Sequence, residues 1–180
     1  MDRRKNIFLI GPRACGKTSV GRRLAARLNS EFVDTDHALV QSVGCEIEQY
    51  VALNGWEAFR EREAAILARE SEPGGRVIGC GGGIVLKPEN RTILRTGIVI
   101  YLKVDPVELV RRLRRDPNTG QRPSLTGQGL TAEVETVLAQ RAPLYESCAD
   151  YVVSAASVAS VVENILARLE RSPGLFDRIC

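Results

Sequence analysis

Residues Gly11 to Thr18 of this 180-residue chain read G-x-x-x-x-G-K-T, within the stretch "LIGPRACGKTSV". Each position in that pattern has a chemical use. Glycines let the backbone wrap until successive N–H groups point inward at phosphate oxygens, and the positive end of the following helix adds to the field. Gly11, Pro12, Arg13, Ala14, Cys15, Gly16, Lys17, Thr18 and Ser19 are therefore expected to surround the phosphate chain of ATP. Lys17 is expected to reach the terminal phosphates, and the Thr18 hydroxyl to coordinate Mg²⁺. A glycine-rich turn carrying the same letters by chance would lack the context found here, a buried strand ending at Ile10 and a helix beginning near Gly16.

Three further stretches bear on the phosphoryl acceptor. In "FVDTD", Asp34 and Asp36 stand two apart at the end of a strand, so both can face one crevice. One carboxylate would help hold a hydrated Mg²⁺ and the other accept a hydroxyl hydrogen; the competing role is a helix N-cap at Asp36. "GWEAFREREAAIL" puts Arg60 and Glu63 on one helical face, a spacing that on its own describes a surface ion pair. "GCGGGIV" supplies Gly79 and then Gly81, Gly82 and Gly83 after a third strand, a run costly in entropy that suits backbone lying close to a ligand.

The elements that must position these residues follow from hydrophobic patterning. "NIFLI" is an almost continuous apolar run, as in a strand buried on both faces, and "TSVGRRLAARLN" has apolar residues at helical spacing. "EFVDT", "RVIGC", "GIVIYLKV" and "DYVVS" read as four more strands, alternating with helices across residues 36–71, after "LKPEN", from Pro106, across 131–147, and to about Arg171. Asp105, Pro106 and Glu108 mark a helix start, as N-cap, first helical residue and the acid three past the cap. Residues 116–130, "DPNTGQRPSLTGQGL", form a long polar loop of lid character, and residues 172–180 a tail. The expectation is a single domain over residues 1–180: a three-layer α/β/α sandwich around a five-stranded parallel sheet, doubly wound, with ligands at the carboxyl ends of the strands.

Composition sets the outer limits. A net charge of +3 is too small to imply nucleic acid or an anionic membrane, and the basic run "RRLRR" reads as a solvated or nucleotide-facing helix. Five cysteines without C-x-x-C or Cys/His spacing, beside the lone His37, point to a reduced, cytoplasmic protein with buried thiols and no zinc site. The first apolar run is too short for a signal peptide or a spanning helix. Neither the N-K-x-D motif of GTPases nor the LSGGQ of transport ATPases occurs, which leaves a small kinase as the reading. A gluconate or nucleoside monophosphate kinase and a catalytically idle nucleotide-binding module are the alternatives.

"GPRACGKTS", "FVDTD", "GWEAFREREA", "GCGGG", "QRPSLTG" and "RAPLY" occur in the order and spacing of the shikimate kinases, which the chain resembles from about residue 6 to 155. The resemblance implies the P-loop nucleoside monophosphate kinase-like fold, with ATP, Mg²⁺ and shikimate as ligands; a monomer with no nucleic-acid or membrane partner is the accompanying expectation. It implies that Asp34 assists Mg²⁺ with Thr18, that Asp36 is the general base on the acceptor hydroxyl, and that residues 34–63 supply much of the shikimate site. Arg60 and Arg141 would clamp the shikimate carboxylate, Glu63 would orient Arg60, and the backbone of Gly81, Gly82 and Gly83 would meet the ring hydroxyls. Arg122 in the lid would reach over the transferring phosphoryl group, and Arg115 would stack on adenine. The chain departs from the pattern after its last strand, where "VVSAASVAS" has no arginine to pack near the base.

Overall fold

The computed structural model describes residues 5–115, 129–154 and 156–171. Strand β1 (Ile7–Ile10) is buried at every position, and its alternate side chains serve two different cores. Ile7 and Leu9 join Ile98, Ile100, Leu102 and Val153 on one face, while Phe8 and Ile10 join Ile78, Val99 and Tyr101 on the other. A continuous apolar run is what a strand needs when both faces are covered.

Helix α1 (Lys17–Arg27) follows the loop, then β2 (Phe32–Asp34), α2 (Thr35–Val43) and α3 (Ile47–Ser71). The second half of the described chain runs β3 (Val77–Gly79), a 3₁₀ turn (Ile84–Leu86), α4 (Pro88–Leu94), β4 (Ile98–Lys103), α5 (Pro106–Arg115), α6 (Leu130–Cys148), β5 (Tyr151–Ser154) and α7 (Val158–Glu170). The sheet order is β2-β3-β1-β4-β5 and every neighbouring pair is parallel, with Leu9 opposite both Gly79 and Ile100. Side chains of α1, α5 and α7 pack on one face and those of α3 and α4 on the other, so the expected three layers and five parallel strands are present. Because β2 and β4 lie on opposite sides of β1, the chain leaves β1 at a topological switch point, where a crevice opens at the strand ends.

Several expected boundaries shift for local reasons. Helix α2 starts at Thr35, and its N-cap is Asp34 instead of Asp36. The helices expected across residues 36–71 are α2 and α3, and α3 is itself kinked at Gly55, which takes φ 82°. Proline at the first position lets α4 begin within "LKPEN", at Pro88. Asp105 caps α5 as expected, its Oδ1 accepting from the Val107 N–H at 2.9 Å. Of the cysteines, Cys15 and Cys80 are buried, whereas Cys45 and Cys148 are partly exposed because they sit at the ends of helices. Cys180, the tail and the lid residues 116–128 with Arg122 lie outside the described residues.

Candidate active site

The loop between β1 and α1 is shaped by residues in left-handed conformations. Ala14 has φ 58° and Gly16 φ 101°, the second a value that a side chain would strain. The loop and the start of α1 line a cleft of about 640 Å³ through Arg13, Ala14, Gly16, Lys17, Thr18 and Ser19. Asp34 at the end of β2, Asp36 in the first turn of α2, Arg112 of α5 and the turn Ala156 to Val158 close its other sides. Lys17 opens α1 and lines the cleft. Its Nζ donates to the carbonyls of Gly11 at 2.9 Å and Pro12 at 2.8 Å, because an ammonium takes the nearest acceptors for its donors.

Thr18 and Asp34 meet, as their expected common task requires: Thr18 Oγ1 donates to Asp34 Oδ2 at 2.8 Å. The other carboxylate oxygen, Oδ1, accepts the N–H groups of Asp36 and His37 at 3.1 and 3.3 Å. One oxygen caps a helix while the other faces the P-loop, so capping and site chemistry are not alternatives for this residue. A fixed carboxylate oxygen beside a hydroxyl is a hard-oxygen donor pair that suits Mg²⁺, a cation usually held by one or two protein oxygens together with phosphates and water. Among the described residues there is no cluster of three or more His, Cys, Asp or Glu that could hold a metal ion.

Next to this cleft is a smaller pocket where α3 faces the turn after β3. Asp36, Trp56, Arg60, Glu63, Gly83 and Arg141 line it, with Arg13, Ile47, Phe59 and Gly82. The Arg60–Glu63 pair is no surface bridge: Glu63 is 2% exposed and its Oε2 accepts from Arg60 Nη1 at 2.6 Å. Burial pushes the Glu63 carboxyl above its usual range, and the Arg60 guanidinium opposes that shift. Arg60 also lies 5.0 Å from the Phe59 ring centroid and 5.5 Å from that of Trp56, which holds its guanidinium plane in place.

Two of the three glycines have a structural reason that sequence alone did not give. A Cβ on Gly81 would come within 2.7 Å of both Asp36 Oδ1 and Glu63 Oε1, and one on Gly83 would overlap the Arg60 guanidinium. Much of the close approach is thus made by the protein's own charged side chains. Gly82 meets no such crowding, and its carbonyl accepts from Arg141 Nη1 at 3.1 Å and from the Tyr145 hydroxyl. Arg141 is 9% exposed, and its buried Nε has no hydrogen-bond partner among the described residues. An unsatisfied guanidinium donor in a pocket is a site for an anion.

The family model described as shikimate kinase matches residues 13–170. The chain belongs to the shikimate kinase family. A shikimate kinase of Nitratidesulfovibrio vulgaris is 48% identical over 166 residues, covering 91% of this chain and 94% of the relative. Shikimate kinase 2 of an Enterobacter species is 47% identical over 165 residues, covering 91% and 94%. Among solved structures, the shikimate kinase from Acinetobacter baumannii in complex with shikimate superposes with a TM-score of 0.86 at 33% identity, covering 93% of this chain and 94% of that one.

Within this kinase family member, the arginines of α5 face two different grooves. Arg115 is exposed in the last turn of α5 and lines a groove with Val107, Val110, Thr131 and Glu135, between α5 and α6. Arg112, one turn earlier, lines the P-loop cleft instead. Its Nη1 reaches the carbonyls of Ala14 and Cys15, each at 3.4 Å, while its Nε donates to Glu108 at 2.7 Å. The run "RRLRR" reads as solvated or nucleotide-facing, and the helix phase separates Arg112, on the cleft side, from its exposed neighbours. Tyr145 was also missed: it is fully buried and stacks at 5.1 Å on Tyr101, a role that "RAPLY" does not advertise.

Proposed function

We propose that this enzyme transfers the γ-phosphoryl group of ATP to the 3-hydroxyl of shikimate, giving shikimate 3-phosphate and ADP. The observation that carries this reading is the pair Arg60 and Arg141, two arginines lining one small pocket that adjoins the P-loop cleft, with Asp36 lining both. Two planar guanidinium forks suit a carboxylate-bearing polyol, where a neutral sugar would leave the buried Arg141 without an anionic partner. Glu63 fixes Arg60, and the Gly82 carbonyl fixes one arm of Arg141.

In the proposed reaction the amides from Arg13 to Ser19 hold the phosphate chain, and Lys17 leaves the loop carbonyls to meet its terminal oxygens. Thr18 and Asp34 would hold Mg²⁺, which when bound would supply neutralisation of phosphate charge. Asp36 accepts the proton of the attacking hydroxyl, Gly81 to Gly83 face the ring hydroxyls, and Arg122 of the lid covers the transferring group. Most of the catalysis is positioning and charge neutralisation, because phosphoryl transfer leaves little covalent work to the protein. Arg115 of α5 is the residue assigned to stack on adenine, carried over from the family resemblance.

We assign the enzyme to the cytoplasm as a monomer without nucleic-acid partners. No helix among the described residues is long and apolar enough to cross a membrane. In the basic run of α5, Arg111 and Arg112 both pair with Glu108, which reduces the charge offered to a polyanion. An ADP-release assay with shikimate, gluconate and a nucleoside monophosphate tests the reading. Acceleration by shikimate alone is the expected result; acceleration by either other acceptor, or nucleotide binding without turnover, overturns it.

A further inference from the structure

We propose that Tyr145 is a positioning residue for the anionic acceptor: its buried hydroxyl shares the Gly82 carbonyl with Arg141 and so fixes that arginine against the glycine turn. Arg141 and Gly82 line the smaller pocket, and Tyr145 stands behind them and acts through them. The inference rests on the acceptor reading of that pocket.

Helix geometry and the sheet together place the hydroxyl. Arg141 and Tyr145 stand four apart on α6, so their side chains leave one face of the helix. Both reach the same oxygen: Arg141 Nη1 donates to the Gly82 carbonyl at 3.1 Å, and the Tyr145 hydroxyl donates to it as well. Tyr145 is fully buried, and its ring lies on that of Tyr101 in β4, with centroids 5.1 Å apart and planes 30° from parallel. Burial pushes the Tyr145 hydroxyl above its ordinary range, the Arg141 charge opposing the shift, so the group stays protonated and donates throughout the neutral range.

The two arginines of the pocket are held by different means. Glu63 fixes Arg60 through a charged bond, whereas the anchor of Arg141 is a neutral carbonyl, which grips a guanidinium less firmly than a carboxylate does. The direction of that carbonyl therefore decides where Arg141 stands. It belongs to the middle of three consecutive glycines, which cannot fix a peptide plane by themselves. A carbonyl oxygen has two lone pairs, and with Arg141 on one and Tyr145 on the other the plane is settled before a ligand arrives. Without the hydroxyl the peptide can turn, and Arg141 turns with it.

Tyr145→Phe keeps the ring on Tyr101 and removes only the hydroxyl. Shikimate binding is read from the fluorescence of Trp56, the sole tryptophan, which lines the pocket; turnover is read from ADP release and Mg·ADP affinity by calorimetry. The variant should bind shikimate about three- to tenfold more weakly, the size of one lost buried hydrogen bond, while kcat at saturating shikimate and Mg·ADP affinity stay within about twofold. In an Arg141→Met background the same change should lower kcat/KM for shikimate by less than about twofold, because the hydroxyl acts through the arginine. Tyr101→Phe, which removes the hydroxyl of the stacked partner, should leave shikimate affinity within about twofold. Unchanged shikimate affinity in Tyr145→Phe overturns the inference, as do additive effects of the Tyr145 and Arg141 changes or an equal loss in Tyr101→Phe. A Tyr145→Phe protein that has lost Mg·ADP as well also overturns it, since the hydroxyl would then support the fold at large. A wild type that binds no shikimate overturns the acceptor reading with it.

Discussion

Gly83 lies directly beneath the Arg60 guanidinium, so close that a methyl group at position 83 would occupy the same space. The glycine is therefore a condition for the arginine's placement. Gly83→Ala should displace Arg60 from Glu63 and raise the KM for shikimate at least tenfold, with the KM for ATP nearly unchanged. Gly82→Ala is the control within the same turn, because its new Cβ would meet nothing closer than 3.6 Å and its φ lies outside the left-handed region. Steady-state kinetics on both variants checks the contrast, and equal defects would contradict it.

Arg60→Ala should weaken shikimate by about 2 to 4 kcal/mol, the range for loss of one partner from a buried charge-assisted contact. ATP affinity should change little, since Arg60 lines the acceptor pocket and not the P-loop cleft. Calorimetric titration of each ligand separates the two, and equal weakening of both would point to misfolding or a nucleotide role.

Glu63 makes a pH prediction with a definite sign. Its carboxyl is raised above the ordinary 4.5 in the folded protein by burial, so the folded state keeps a proton that the unfolded chain releases. The stability from this group is complete below the unfolded value and is lost as pH rises through the folded one. Glu63→Gln removes the titration, so the stability of the wild type relative to this variant should fall as pH increases from about 4.5. Urea denaturation of both proteins across pH 4 to 8 measures the slope; a difference that grows with pH would refute the assignment.

What the chain reveals before folding depends on whether a residue's neighbours are close in sequence. The loop from Gly11 to Ser19 is local, and its backbone amides, lysine and hydroxyl can be read from their spacing. The sheet is legible because each buried strand is a short apolar run. Asp34 shows the limit: its cap contacts are local, yet its bond to Thr18 crosses from β2 to the P-loop and fixes which oxygen does which task. Arg141, Tyr145 and Gly82 converge from segments about sixty residues apart, so the resemblance supplied Arg141 and nothing supplied Tyr145. The glycine run could be recognised as a close approach, but its occupants, Arg60, Asp36 and Glu63, emerged only with the fold.

Lys17→Ala should lower kcat by about 10²-fold or more, because the charge it brings to the terminal phosphates acts in a site shielded from water. The variant should also lose the two bonds that tie Nζ to Gly11 and Pro12, so a modest fall in thermal stability accompanies the kinetic defect. Rapid-quench measurement of the chemical step, with circular dichroism to confirm retained secondary structure, checks both. Turnover near the wild-type rate would remove the P-loop from the mechanism.

Arg112 and Arg115 stand on one helix and make opposite demands on experiment. Arg112 reaches the carbonyls of Ala14 and Cys15 from α5, and Glu108 holds its other edge, with that carboxyl drawn down to about 2 by hydrogen bonds to Arg111 and Arg112. Removing Arg112 frees two P-loop carbonyls at the turn where Ala14 and Gly16 adopt left-handed angles, so the amides that meet phosphate lose part of their preorganisation. Arg112→Ala should therefore weaken both ADP and ATP by about three- to tenfold through the phosphate cradle, and AMP, with its shorter phosphate chain, much less. Arg115 stands in a different groove, and its proposed contact is with the base. Arg115→Ala should weaken ADP, ATP and AMP by similar factors, because stacking on adenine does not depend on phosphate number. Calorimetry with the three nucleotides decides the assignment: an Arg112→Ala defect uniform across the series would place Arg112 at the base, and an Arg115→Ala enzyme with unchanged affinity for all three would remove Arg115 from the nucleotide site.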